Sequence, residues 1–427
     1  MKLSNAKSEI KSGAFIESFK KAYVTDEFAA EQYERYAQVL DDFVTVYGEG
    51  ERDIHLFSAP GRSEVCGNHT DHNHGCVLAA AISLDAIAVA SVNDTNTVNI
   101  KSAGYDMDTV SCDDLEVNDS DIGRSRALVR GVMARFKQLG YNIGGFDATT
   151  SSRVLSGSGL SSSAAFEVLI GTMLNYLFND GKISPVEIAQ IAQFAENVHF
   201  GKPCGLLDQM ACSVGGFVEI DFKDPSAPII NKVDFDFSSC GHSLVIVDSK
   251  GNHADLTDEY AAVRSEMEAA AAVFGKQVLR DVDESEFMKN ISLVREKTND
   301  RAVLRALHFF ADSDRVEKEI TALKDGDFEL FKSLIIESGD SSYKYNQNIF
   351  APKQVESQPV SLALCLSERI LKGKGAWRVH GGGFAGTIQA FVPNELIEEY
   401  TNAMKAVFGD DSCYILSIRP VGGIELA

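Results

Sequence analysis

Ser156-Gly157-Ser158-Gly159-Leu160-Ser161-Ser162-Ser163-Ala164-Ala165 runs directly into the apolar stretch Phe166 to Phe178. A glycine-rich turn that opens a helix leaves the first backbone N–H groups unpaired and adds the positive end of the helix dipole, which together make an anion site. The ending Gly-Lys-Ser/Thr of a Walker A loop is missing. A serine-rich helix cap is the competing reading.

Around this stretch the pattern alternates. Short β-like runs at Ala86 to Val92, Val98 to Lys101, Phe146 to Thr150 and Phe217 to Ile220 are interleaved with helix-like stretches at 125–139, 161–178 and 184–200. Upstream, Phe28, Tyr33, Tyr36, Val39 and Leu40 recur at helical spacing, so residues 1–45 read as an N-terminal helical arm. The segment 222–242 carries two prolines and several turn formers and is the expected junction. Beyond it come a strand at Ser243 to Asp248, helices from 254 to 274, through 338 and at 356–372, and strands near 385–392 and 413–418. The expectation is an α+β chain with an arm (1–45) and two domains (46–230 and 231–427).

The chain has 427 residues and a net charge of −22, from 40 Lys+Arg against 62 Asp+Glu. So acidic an exterior excludes nucleic acid as a natural partner and argues against anionic membranes. A small, locally positive site inside it remains possible. The eight cysteines are scattered, with no CxxC pair, unlike a disulfide scaffold or a zinc ribbon. No signal-peptide core and no run of about 18 apolar residues occurs. The expected chain is reduced, cytoplasmic, and a monomer or weak oligomer.

Two further segments are rich in glycine. Ala59 to Gly75 (APGRSEVCGNHTDHNHG) packs Arg62, Asn68, His69, Thr70, Asp71, His72 and His74 into what reads as a polar loop, suited to hydrogen-bonding many hydroxyls. The spacing of its histidines lies outside the common zinc patterns. Val379 to Thr387 (VHGGGFAGT) holds four glycines in six residues, which allows close backbone approach or simply a tight turn.

Taken together and in this order, these segments resemble the GHMP kinase superfamily and, within it, the galactokinases. The galactokinase signature reads roughly GRxNLIGEHTDYNGG, and residues 61–75 here read GRSEVCGNHTDHNHG. The phosphate loop GxGLSSSAA appears as Gly157 to Ala165. Gly205-Leu206-Leu207-Asp208-Gln209 matches a third motif, preceded by Ala195-Glu196-Asn197, and Gly381 to Gly386 matches the last. The similarity runs from about residue 27 to the C-terminus.

The resemblance implies a two-domain GHMP kinase fold, with an N-terminal domain like ribosomal protein S5 domain 2 and a ferredoxin-like C-terminal domain. It implies MgATP-dependent phosphorylation of the anomeric C1 hydroxyl of galactose, giving galactose 1-phosphate and ADP. By the same analogy Gly157, Ser158, Gly159, Leu160, Ser161, Ser162 and Ser163 cradle ATP, and Ser163 and Glu196 hold Mg²⁺. Asp208 and Arg62 are the catalytic pair; beside a guanidinium the carboxylate is only a modest base. Asn68, His69, Thr70, Asp71 and Tyr260 contact the sugar, although Leu256, Tyr260, Val263, Met267 and Phe274 share one helix face, so Tyr260 also reads as core.

The chain departs from the signature at Asn68, where galactokinases carry a sugar-binding Glu, and at His72-Asn73-His74, where they carry Tyr-Asn-Gly. An amide can donate to a carboxylate that a Glu would repel. Galacturonate therefore joins N-acetylgalactosamine as an alternative substrate, because plant galacturonokinases also lack this Glu. A non-catalytic galactose and ATP sensor, as in some yeast relatives, is the alternative of another class. Those relatives lack part of the Ser-Ala segment that is intact here through Ala165.

Overall fold

The computed structural model describes residues 1–154, 159–202, 204–251 and 256–427. Its first half contains α1 (Leu3–Lys11), α2 (Ile16–Tyr23), α3 (Asp26–Tyr47), β1 (His55–Cys66), β2 (Cys76–Val92), β3 (Thr97–Ser102), β4 (Met107–Ser111), α4 (Ser125–Gln138), β5 (Phe146–Ser152), α5 (Ser162–Asn179), α6 (Pro185–Phe194) and α7 (Leu207–Val214). There follow β6 (Phe217–Asp221), β7 (Ile229–Val233), β8 (His242–Asp248), α8 (Thr257–Ala272), α9 (Glu284–Lys289), α10 (Ile291–Lys297), α11 (Asp300–Lys324), α12 (Phe328–Ser341), α13 (Pro359–Leu371), β9 (Ala376–His380), β10 (Thr387–Pro393), α14 (Ile397–Phe408), β11 (Cys413–Leu416) and β12 (Ile424–Glu425).

These elements form two compact units, one of Met1–Arg62, Ala81–Gly216 and Arg419–Ala427, the other of Ser63–Ala80 and Phe217–Ile418. Strand pairing explains why the units do not follow chain order. Residues 76–80 of β2 pair antiparallel with β6, which pairs in turn with β7. The boundaries expected at 45/46 and 230/231 both fall inside a unit, the second of them within β7.

In the first unit the sheet order is β12-β1-β2-β5-β3-β4. The β2–β5 pair is antiparallel, with Ala88 opposite Thr150, and β3 lies parallel to β5, with Ile100 opposite Ala148. Strand β2 (CVLAAAISLDAIAVASV) is buried along nearly its whole length, as a strand covered on both faces must be. Helix α5 is likewise buried from Ala164 through Asn175 except at Phe166. The helical arm belongs to this core: Phe19, Tyr23, Tyr36, Leu40 and Phe43 pack with Leu56, Ile87 and Val89. Thr25 caps α3 by accepting from the Phe28 N–H at 3.2 Å.

The second unit holds a four-stranded antiparallel sheet, β11-β8-β10-β9. Val245, Val247, Ile388 and Ala390 of this sheet pack with Val360 and Ala363 of α13 and with Tyr400 and Met404 of α14. A second cluster joins α8 and α11 through Val263, Met267, Ala306 and Phe309. The 25-residue α11 is capped by Asn299, which accepts from the Ala302 N–H at 2.8 Å.

Most expected elements occur within a few residues of their predicted ends. The exception that bears on the site is Ala59 to Cys66, which reads as loop and is strand β1. Small residues hide it: Ser58, Ala59, Gly61 and Ser63 are buried because neighbours press close. A Cβ on Gly61 would lie 2.8 Å from the Leu160 carbonyl oxygen and 2.9 Å from a Val154 methyl. All eight cysteines are free thiols. Among the described residues no helix is long and apolar enough to cross a membrane.

Candidate active site

In the first unit, β1 carries Arg62, whose backbone N–H donates to the Leu160 carbonyl at 3.2 Å. That contact sets the end of the glycine loop against the strand. Ser161 then takes a left-handed conformation (φ 59°), and α5 begins at Ser162. Strain of this kind in a residue other than glycine persists only where its surroundings enforce it. The first turn of α5 has no acidic residue, so its unpaired N–H groups keep their attraction for an anion. Gly157 and Ser158 lie outside the described residues.

The first turn of α7 brings Asp208 to the same loop. Arg62 donates from Nε to Asp208 Oδ1 at 2.7 Å, and its Nη2 lies 2.6 Å from the same oxygen. Arg62 also donates to the Gly159 carbonyl, and the Ser161 hydroxyl donates to Asp208 Oδ2. Asp208 is thus gripped on both oxygens, with 35% of its side chain still exposed.

A second carboxylate stands beside α5. Residues 184–200 read as one helix, yet α6 stops at Phe194 and Ala195–Phe200 continue as a π-helical turn. Such turns recur at functional sites. This one carries Glu196, which is 2% exposed. Its Oε1 accepts from the Ser163 hydroxyl at 3.2 Å and from Lys202 Nζ at 3.2 Å. Gln209 Nε2 donates to Glu196 Oε2 at 2.7 Å and to Glu167 Oε2 at 3.2 Å. Burial, and next the neighbouring Glu196, push the Glu167 carboxyl well above its usual range. Burial pulls the Lys202 ammonium down, but the Glu196 carboxylate prevails and raises it. Hydroxyl and carboxylate oxygens are the donors Mg²⁺ prefers. The Lys202 ammonium, 3.2 Å from Glu196 Oε1, already places a positive charge beside this carboxylate.

In the second unit, residues 67–75 form a tight loop between β1 and β2. Gly67 has φ 88°, and a Cβ there would lie 2.4 Å from the Cys76 carbonyl oxygen. The buried Thr70 hydroxyl points at the Gly67 and Cys76 carbonyls, at 2.8 and 2.7 Å, and so closes the loop. His69 is left-handed (φ 61°), with Nε2 3.0 Å from the Gly382 carbonyl. Burial, with the neighbouring His72 second, lowers its imidazole to about 4, so it is neutral at pH 7 and donates from Nε2. Asp71 keeps 23% of its side chain exposed, 3.8 Å from His72 Nε2. The Tyr260 hydroxyl donates to the Gly383 carbonyl at 2.9 Å, and its ring meets Phe384 edge-on at 5.2 Å. Tyr260 therefore packs in the core and also reaches the third glycine loop.

Asn68 is completely buried, and α11 grips its backbone. Asp312 accepts from its N–H at 2.9 Å, and His308 Nε2 donates to its carbonyl at 2.9 Å. Neither residue stands out in the sequence, nor do Gln209, Glu167 and Lys202. One signal was available: Arg305, His308, Asp312, Arg315 and Glu319 are polar residues three and four apart on one helix, and most of them are buried here.

Comparison with known proteins identifies the family. Residues 127–216 match the model of the GHMP kinases N terminal domain, and residues 41–92 match the galactokinase galactose-binding signature. The galactokinase of Streptomyces coelicolor is 30% identical over 376 residues, covering 87% of this chain and 92% of that one. A Lactococcus lactis galactokinase crystallised with galactose superposes with a TM-score of 0.74 at 24% identity, over 92% of this chain and 99% of the other. The mevalonate kinase of Methanococcus jannaschii gives a TM-score of 0.61 at 15% identity, over 87% of this chain and 99% of the other. The fold is therefore the two-domain α+β GHMP kinase fold, and ATP is the cosubstrate that membership implies. With that identity extending over nearly the whole length, the chain belongs to the galactokinases, phosphotransferases that act on a hydroxyl acceptor.

Proposed function

We propose that the protein transfers the γ-phosphoryl group of ATP, with Mg²⁺, to the C1 hydroxyl of galactose, releasing galactose 1-phosphate and ADP in the cytoplasm. The observation that carries this reading is the Arg62–Asp208 pair held against the glycine loop, at 2.7 Å through Nε. Phosphoryl transfer asks little covalent chemistry of a protein and much positioning and charge stabilisation. The loop through Gly159, Leu160, Ser161, Ser162 and Ser163 cradles the phosphates with backbone N–H groups.

Asp208 accepts the C1 hydroxyl proton late in transfer, and Arg62 stabilises charge on the phosphoryl oxygens. Ser163 and Glu196 would hold Mg²⁺, which would neutralise phosphate charge there. His69 and Asp71 bind sugar hydroxyls, the first as a neutral imidazole and the second as an acceptor for vicinal hydroxyls. Tyr260 shapes the pocket through the Gly383 contact. Thr70 serves the shape of the loop.

ADP release measured over galactose, N-acetylgalactosamine, galacturonate, glucose and arabinose tests the reading. Galactose is expected to give the highest kcat/KM. Sugar binding without ADP release, or far faster turnover of galacturonate, would refute it. Replacing Glu196 with Gln removes the charged metal donor while keeping the fit to Gln209. The Mg²⁺ concentration for half-maximal activity should then rise by about tenfold or more. Mn²⁺ binding followed by electron paramagnetic resonance should weaken in parallel. Unchanged Mn²⁺ affinity would remove Glu196 from the metal site.

A further inference from the structure

Asn68 marks the departure from the galactokinase signature, and every polar group it has is already engaged. Its Nδ2 donates to Glu64 Oε1 at 2.9 Å and to the Gly381 carbonyl at 2.8 Å. Its Oδ1 accepts from Asn348 Nδ2 at 2.8 Å and from the Ser342 hydroxyl at 3.3 Å. With the backbone held by Asp312 and His308, nothing remains to bind a substrate. The expectation that Asn68 contacts the sugar therefore has no free valence to rest on.

The partner on Nδ2 is informative. The signature GRxNLIGEHTD puts an amide four residues before its carboxylate. Here the carboxylate, Glu64, comes first and the amide, Asn68, second, and the two are hydrogen-bonded. Glu64 alternates on β1 with the buried Ser63 and Val65, retains 13% side-chain exposure, and pairs at 3.0 Å with the fully buried Arg378. Arg378 also donates to the Val65 carbonyl.

We propose that Glu64 and Asn68 are an exchanged carboxylate–amide pair, which keeps one negative charge at this end of the sugar loop and selects an uncharged galactose-type sugar over its uronate. The inference rests on the reading of residues 67–75 as the sugar loop. A uronate would need a free donor at position 68 and no carboxylate beside it. Both amide protons are committed, and a carboxylate oxygen lies 2.9 Å away. Asp71 adds a second acid on the loop. A glutamate at position 68 alone would set two carboxylates against each other, with Arg378 shared between them.

Galactose binding by titration calorimetry, for the wild type, Asn68→Glu, Glu64→Asn and the double variant, isolates the coupling. Each single change should weaken galactose binding by about tenfold or more, a coupling common for groups in contact, and leave ATP affinity unchanged. The double variant restores the order amide then carboxylate, and should recover most of the loss in affinity and in melting temperature. Recovery of both supports the pair even if a single variant folds poorly. Losses that multiply in the double variant, or an Asn68→Glu protein that binds galactose like the wild type, would overturn the proposal. So would wild-type preference for galacturonate. Normal galactose binding without turnover would instead count against the kinase reading and leave the pair readable by calorimetry.

Discussion

Asp208→Asn is expected to lower kcat by about 10²- to 10⁴-fold, the usual contribution of a positioned proton acceptor. ATP affinity should stay near its wild-type value. The substitution is nearly isosteric, so the geometry survives. Arg62 can still donate to the amide oxygen, which replaces Oδ1 at 2.7 Å, and the amide nitrogen can donate to the Ser161 hydroxyl in place of accepting from it. What changes is chemistry: the group that takes the C1 hydroxyl proton now carries protons of its own. Stopped turnover with intact ATP binding, read by calorimetry, places the defect in the chemical step. A kcat unchanged on galactose would remove Asp208 from that role.

Asp85→Ala should produce the largest loss of stability, about 3–5 kcal/mol, as when one partner of a buried ion pair is removed. Asp85 sits inside the first unit with no exposed surface and binds four side chains. Tyr23 donates to Oδ2 at 2.7 Å, Arg419 approaches at 3.2 Å, and Ser58 and Arg35 complete the set. Tyr23 and Arg35 come from the helical arm and Arg419 from the C-terminal segment, so one carboxylate ties three parts of the chain together. Without it the fully buried Arg419 loses its counter-charge. The melting temperature should fall by roughly 6–20 °C.

The same site predicts a pH dependence. Burial alone would raise the Asp85 carboxyl, but the Arg35 and Arg419 guanidiniums overcome it and hold the group below the usual carboxylate range. A depressed folded-state value means that its stabilisation is complete above the unfolded value of about 3.9 and is lost as pH falls through the lower folded value. Asp85→Asn should remove that part of the acid transition. An acid transition identical to that of the wild type would contradict this.

Much of the architecture is legible from local pattern, because α4, α5 and the Ala86–Val92 part of β2 carry periodicity that burial later rewards. Strand β1 escapes a reading of the sequence, since its middle, Ser58 to Ser63, is mostly small residues without hydrophobic alternation, and the need for them appears only when Val154 and Leu160 are seen against Gly61. The arm reads correctly as helical, but its attachment depends on Asp85, which lies 62 residues from Tyr23 and 334 from Arg419.

At the candidate site, motif order points to Arg62, Asp208, Ser163 and Glu196, which the structure brings together in contacting pairs. Polarity misleads at Thr70 and Asn68. Polar side chains in a tight loop are as readily consumed by the loop itself as by a ligand, and apart from Glu64 the partners of Asn68 lie 240 or more residues away in α11 and beyond. The sequence can display the exchanged Glu64 and Asn68, but only the 2.9 Å contact makes them one unit.

The identity of the product is the most direct test of galactose phosphorylation at C1. Phosphorus magnetic resonance of the reaction with ATP, Mg²⁺ and galactose should show one new sugar phosphate whose phosphorus couples to the anomeric proton, formed in step with ADP. Phosphate carried on any other hydroxyl, or ADP formed without a sugar phosphate, would contradict it.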